Sequence, residues 1–167
     1  VLIQGQPDGR GCRIAVVVSR YNDFVTDRLQ AGAVEGLAHA GVADQDVDVI
    51  SVPGSYEIPQ AARFAAVTRR YDAVVCLGCL IRGETAHFDY ISSAVSQGIM
   101  TASFETGVPM TFGVLTTNSA EQALERVAPG PANKGWEAAM AAVELASVAR
   151  ALRGPGAADP GPATSRA

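Results

Sequence analysis

Thr85 and His87 stand two apart in the stretch Gly83-Glu-Thr-Ala-His-Phe88, directly after a buried-looking apolar run and directly before a helical one. Backbone N–H groups of Gly83, Glu84 and Thr85, with the threonine hydroxyl, would face outward at a helix N-terminus, where an anion is favoured. A neutral imidazole beside such an anion can carry protons to and from a reacting group. The same residues could equally do no more than cap the helix. Tyr21 and Asn22 follow another apolar run and could hold a planar ring, or Asn22 could cap the next helix with Tyr21 half-buried beside it. Lys134 and Glu137, three apart, share one side of a helix, and Arg126 ends the helix before it. A surface ion pair is the simplest account of those three.

Other chemistries are disfavoured by spacing. Cys76 and Cys79 match C-x-x-C, but Cys76 lies inside a strand pattern, and a separation of three sends the two side chains to opposite faces. No second Cys/His pair has ligand spacing, so neither a redox dithiol nor a zinc site is expected, and no metal. Neither G-x-G-x-x-G nor G-x-x-x-x-G-K-[ST] occurs, which argues against a dinucleotide or a nucleoside triphosphate.

The elements that must position these residues alternate in type. Ile14–Val18, Val47–Val52, Ala73–Gly78 and Thr111–Thr116 are β-branched or apolar runs typical of strands covered on both faces. Between and after them, helical spacing runs over Asp23–His39, Ile58–Arg70, the stretch marked by Phe88, Ile91, Val95 and Ile99, then Ala120–Val127 and Lys134–Arg153. Right-handed crossovers would build a parallel sheet between two helical layers, a flavodoxin-like α/β/α sandwich with four strands. Sites in such sheets lie beyond the carboxyl ends of the strands. That rule nominates Ser19–Asn22, Pro53–Glu57, Cys79–His87 and Thr116–Ser119. One domain over 1–153 is expected, followed by a Pro/Gly/Ala-rich flexible tail over 154–167.

The 167 residues are 48% apolar and 18% charged, with 17 acidic against 13 basic side chains and a net charge of −4. Such a balance offers no strong attraction for nucleic acid or an anionic membrane. The longest apolar run, Ala73–Ile81, is about half a membrane span. Three cysteines and no leader-like pattern in the first residues favour a reduced, cytoplasmic setting. Twelve of the basic residues are arginine and one, Lys134, is lysine.

Read in order, the segments Ser-Arg-Tyr-Asn (19–22), Val-Pro-Gly-Ser-Tyr-Glu-Ile-Pro (52–59), Ile-Arg-Gly-Glu-Thr-Ala-His-Phe-Asp-Tyr (81–90), Phe-Gly-Val-Leu-Thr-Thr-Asn (112–118), Glu-Gln-Ala-Leu-Glu-Arg (121–126) and Asn-Lys-Gly-Trp-Glu-Ala-Ala (133–139) resemble the lumazine synthase family. The resemblance covers Arg13 to Arg150. It implies the condensation of 5-amino-6-(ribitylamino)uracil with 3,4-dihydroxy-2-butanone 4-phosphate, a step of riboflavin synthesis that uses no cofactor or metal. By the same resemblance, Tyr21 stacks on the pyrimidine with Asn22 beside it, and Ser55, Tyr56 and Glu57 line the ribityl chain. Cys79 and Ile81 contact the pyrimidine through backbone groups. Gly83, Glu84, Thr85 and Arg126 hold the phosphate, and His87 is the proton shuttle. Phe112, from a neighbouring subunit, and Lys134 complete the pocket, while Glu137 holds Arg126 in an ion pair. Tyr21 and Cys79 depart from the commonest residues at their positions, Phe or Trp at the first and a small or hydroxyl residue at the second. The family forms pentamers, and some members close twelve of them into a sixty-subunit icosahedral shell. The short connector 127–132 resembles the shell-forming members, and riboflavin synthase is a partner to expect.

Overall fold

Strands β1 (Ile14–Ser19), β2 (Val47–Val52), β3 (Ala73–Ile81) and β4 (Met110–Thr117) form one all-parallel sheet in the order β2-β1-β3-β4. Helices α1 (Asp23–His39), α2 (Ile58–Val67), α3 (His87–Thr106), α4 (Ala120–Glu125) and α5 (Lys134–Arg153) complete the chain. The computed structural model describes residues 1–154. Apart from Gly154, the expected tail at 154–167 lies outside the described residues.

Burial follows the strand pleat. On β1, Ile14, Val16 and Val18 face a core shared with α1, α4 and α5, while Ala15 and Val17 face one shared with α2 and α3. β3, paired on both sides, repeats the alternation and sends Cys79 into the first core and Cys76 into the second. The C-x-x-C thiols therefore lie on opposite faces of the sheet. Desolvation pushes Cys76 up to about 12 and Cys79 to about 11, so both are protonated thiols. The result is the flavodoxin-like α/β/α sandwich that the sequence pattern implied.

Two boundaries differ from the sequence expectation by three residues, and those of β1, β4 and α4 by one or two. β3 runs on past Gly78 to Ile81, because Cys79, Leu80 and Ile81 pair in register with Leu115, Thr116 and Thr117 of β4. Cys79 and Ile81 are thus strand residues rather than loop residues. α2 stops at Val67 instead of Arg70. Arg69 adopts a left-handed φ of 60° and donates from Nη1 to the Thr106 carbonyl at 2.8 Å, while Thr68 Oγ1 donates to the Ala65 carbonyl.

The start of α5 is locked against α1. Asn133 is the N-cap: its Oδ1 accepts from Gly135 N at 2.7 Å and Trp136 N at 3.4 Å. Its Nδ2 donates to the carbonyls of Arg28 at 3.1 Å and Val127 at 3.2 Å. A Cβ at Gly135 would collide with the Leu29 carbonyl of α1, so only glycine fits there. Asn133 and Gly135 thereby orient the Lys134 between them.

Candidate active site

Beyond the carboxyl ends of β1, β2 and β3 lies a cleft of about 470 Å³. The chain passes from β1 outward to β2, then crosses back to β3 on the other flank of β1. The β1/β3 boundary is therefore the topological switch point, where the chain parts to both sides and leaves a crevice. Loops after all three strands meet there.

The first wall comes from β1. Arg20 N and Tyr21 N continue the ladder onto the carbonyls of Val52 and Pro53, at 2.8 and 3.0 Å. Asn22 then turns left-handed, with φ 63°, a conformation asparagine tolerates. Its side chain does not cap α1. Instead Asn22 Nδ2 donates to the Cys79 carbonyl at 2.9 Å, tying the β1 loop to the end of β3. Tyr21 is left 71% exposed over the cleft.

The second wall is the turn after β2. Gly54 N donates to Glu57 Oε2 at 3.0 Å, which fixes the Ser55–Glu57 turn. Ser55 is buried and Tyr56 is 63% exposed. Ser55 can sit deep because Gly78 faces it, where a Cβ would lie 2.8 Å from Ser55 Oγ. Leu80 and Ile81 form the floor.

Gly83, Thr85 and His87 line the third side. Among the described residues, none of the N–H groups of Gly83, Glu84 and Thr85 donates to a protein acceptor. Ala86 is the α3 N-cap and its side chain caps nothing, while Thr85 Oγ1 accepts weakly from His87 N at 3.4 Å. The amino end of a 20-residue helix is left with free donors beside an exposed imidazole. Free N–H donors thus line one side of the cleft, two exposed tyrosines line the other walls, and the His87 imidazole stands beside the donors.

Residues 11–150 match the family model of 6,7-dimethyl-8-ribityllumazine synthase. The chain belongs to that family. It is 46% identical over 149 residues to the 6,7-dimethyl-8-ribityllumazine synthase of Syntrophus aciditrophicus (strain SB), a match covering 89% of this chain and 97% of that protein.

Of the residues that the lumazine synthase resemblance nominated, Tyr21, Asn22, Ser55, Tyr56, Ile81, Gly83, Thr85 and His87 meet in the one cleft. Cys79 adjoins it only through its carbonyl, because its thiol faces the α1/α5 core. Glu57 braces the wall through Gly54, and Glu84 projects from the loop as an exposed side chain. Phe112, Lys134 and Glu137 line a second cleft of about 330 Å³, between β4 and the first turns of α5. Arg126 borders neither cleft; its Nη1 donates to the Gln122 carbonyl at 2.6 Å. The expected Glu137–Arg126 ion pair is not formed. Glu137 Oε2 pairs with Lys134 Nζ at 2.8 Å, because i,i+3 spacing at the helix start places the two side chains together.

Phe88 and Ile91, which the sequence offers only as markers of helical spacing, also line the first cleft. The stripe they begin is core only from Val95 onward, where exposure falls to 1% and then 3% at Ile99. Its first turn overhangs the strand ends and is half-buried. Gly54 and Leu80 line it too: Gly54 falls in the family-like segment 52–59 without a role assigned to it there, and Leu80 carries no sequence signal beyond lying near a strand end.

Proposed function

We propose that this chain condenses 5-amino-6-(ribitylamino)uracil with 3,4-dihydroxy-2-butanone 4-phosphate to give 6,7-dimethyl-8-ribityllumazine, with residues 1–153 acting as one domain. The observation that carries this reading is the meeting of Tyr21, Tyr56, Thr85 and His87 in one cleft at the β1/β3 switch point. The pyrimidine stacks on Tyr21 with Asn22 beside it, and a phenol ring still offers the π-face this needs. Backbone groups of Cys79 and Ile81 contact the pyrimidine edge. The ribityl chain runs along Ser55, Tyr56 and Glu57, whose carboxylate accepts from its hydroxyls. Phosphate sits on the free N–H groups of Gly83, Glu84 and Thr85.

The pyrimidine amine attacks the ketone and water leaves as the imine forms. Phosphate is then eliminated, and closure of the second ring releases water again. His87 moves the protons these steps require, at the point where ring and phosphate adjoin. Much of the acceleration comes from holding two reactants in contact. None of these steps calls for a metal or a cofactor.

The cleft is open on one side, with its two tyrosines exposed, while Phe112 is 49% exposed on the edge strand β4 in the other cleft. That division supports a homo-oligomer in which Phe112 of one subunit covers the pyrimidine of the next, with Lys134 and Arg126 completing the site and Glu137 supporting them. We assign a pentamer. The six-residue connector 127–132 favours closure of pentamers into an icosahedral shell, which sedimentation reads directly. The setting is the cytoplasm, and riboflavin synthase would take the product. No helix among the described residues is long and apolar enough to cross a membrane.

Mixing the purified protein with both substrates should give lumazine absorbance well above the spontaneous rate. Absence of product over that background would leave a binding protein that retains the pocket.

A further inference from the structure

The loop 82–86 that carries the free N–H groups has little packing of its own: a Cβ at Gly83 would meet nothing within 4 Å. Its geometry is set by what holds its ends: the Ala86 carbonyl accepts from Asp89 N and Tyr90 N at one, and at the other stands Arg82, outside the cleft lining. Arg82 N donates to the Thr117 carbonyl at 2.8 Å, anchoring the backbone to the end of β4. Arg82 Nε donates to Asn118 Oδ1 at 3.1 Å, and Asn118 N in turn donates to Gln122 Oε1 of α4 at 2.8 Å. The two terminal nitrogens pair with the carboxylate of Asp89, in the first turn of α3, at 3.2 and 3.4 Å. The guanidinium also lies over the Phe88 ring, 4.5 Å from its centroid, and Phe88 lines the cleft. A single exposed ion pair of this kind contributes little. Here one planar fork joins three elements at once, which a flexible ammonium cannot do in the same way.

We propose that Arg82 is a positioning residue: by clamping the end of β4 to the first turn of α3, it sets the span of residues 83–86 and hence the affinity of this corner for phosphate. Assigning that phosphate to the butanone substrate rests on the function proposed above. The clamp itself does not. Nor is Arg82 merely a positive charge near an anion, and Asp89 separates the two ideas. Asp89→Asn removes a negative charge from the neighbourhood, so simple attraction would tighten phosphate binding, whereas loss of the clamp would weaken it.

The test measures steady-state constants for both substrates in wild type, Arg82→Gln, Arg82→Lys and Asp89→Asn, with a thermal melt of each. Loss of the fork and its aromatic contact should raise KM for the phosphate substrate about tenfold in Arg82→Gln. KM for the pyrimidine should stay within about twofold, since its site is built by the β1 and β2 loops and by Cys79 and Ile81, whose backbone is held by the β3/β4 ladder rather than by the Arg82 side chain. Arg82→Lys should recover part of the loss, and Asp89→Asn should raise the same KM about threefold. An unchanged phosphate KM in Arg82→Gln, an equal rise for both substrates, or tighter phosphate binding in Asp89→Asn would overturn the proposal. Should the wild type make no product, the synthase reading fails by itself. Calorimetric binding of inorganic phosphate to the same four proteins then tests the clamp, and equal affinity across them would refute it.

Discussion

Replacing Asn133 with alanine tests the claim that the start of α5, and with it Lys134, is held by one buried amide. The side chain is 2% exposed and makes four hydrogen bonds, accepting from Gly135 N and Trp136 N and donating to the carbonyls of Arg28 and Val127. Losing an N-cap costs about 1 kcal/mol. Each of the two carbonyls left without its donor adds about 1 kcal/mol. The sum is about 3 kcal/mol, which for a chain of this size lowers the thermal midpoint by roughly 6–12 °C. Asn133→Ser keeps an acceptor for the cap but cannot serve both carbonyls, so its loss should fall between wild type and alanine. Circular dichroism melts at fixed protein concentration give the three midpoints, with concentration held constant because assembly would add to stability. A fall of less than about 2 °C for Asn133→Ala would refute the reasoning. So would a serine variant as stable as wild type, since the amide donors would then contribute nothing.

Three further outcomes bear on the site and the core. His87→Ala should lower turnover by about a hundredfold or more while a pyrimidine analogue binds as before, and unchanged turnover would remove the imidazole from proton transfer. Arg126→Ala should raise KM for the phosphate substrate more than for the pyrimidine, whereas equal effects would deny it a part in phosphate recognition. Burial raises the Cys76 and Cys79 thiols to about 12 and about 11, and a raised thiol value means less thiolate at any pH below it. At pH 8 a disulfide reagent should therefore find no fast thiol at either position in the native protein, and all three cysteines of the chain in urea. A rapid native reaction mapped to Cys76 or Cys79 would contradict their burial.

Local pattern made much of this structure legible, and its failures have local causes. Apolar runs and four-residue spacing placed each strand and helix, and α5 begins at the expected Lys134, where an asparagine cap and a glycine mark the start. α2 ends three residues before the expected Arg70 because its end depends on Arg69 turning left-handed, and arginine carries no signal for a positive φ. β3 outruns its expected end at Gly78. In the fold that glycine makes room for Ser55, while β4 pairs the next three residues. Asn22 reads as a cap, yet its amide reaches a carbonyl 57 residues away.

The sequence by itself determined the layers, the faces of the two core cysteines, and the rule that chemistry belongs beyond the carboxyl ends of the strands. These follow from side-chain period and burial, which neighbouring residues set among themselves. Strand order was decided only in three dimensions, and it selects which loops can meet. With β1 beside β3, the loops at 19–22, 53–57 and 81–87 converge on one cleft. The fourth nominated loop, 116–119, stays outside the cleft lining and reaches it only through the Asn118–Arg82 hydrogen bond. The same order puts Phe112 and Lys134 in another cleft, against β4 and α5, and leaves Glu137 to its neighbour on the helix. Pairing between strands far apart in the chain is not written in any local window, so the partition of one proposed site into two surfaces could be read only from the folded sheet.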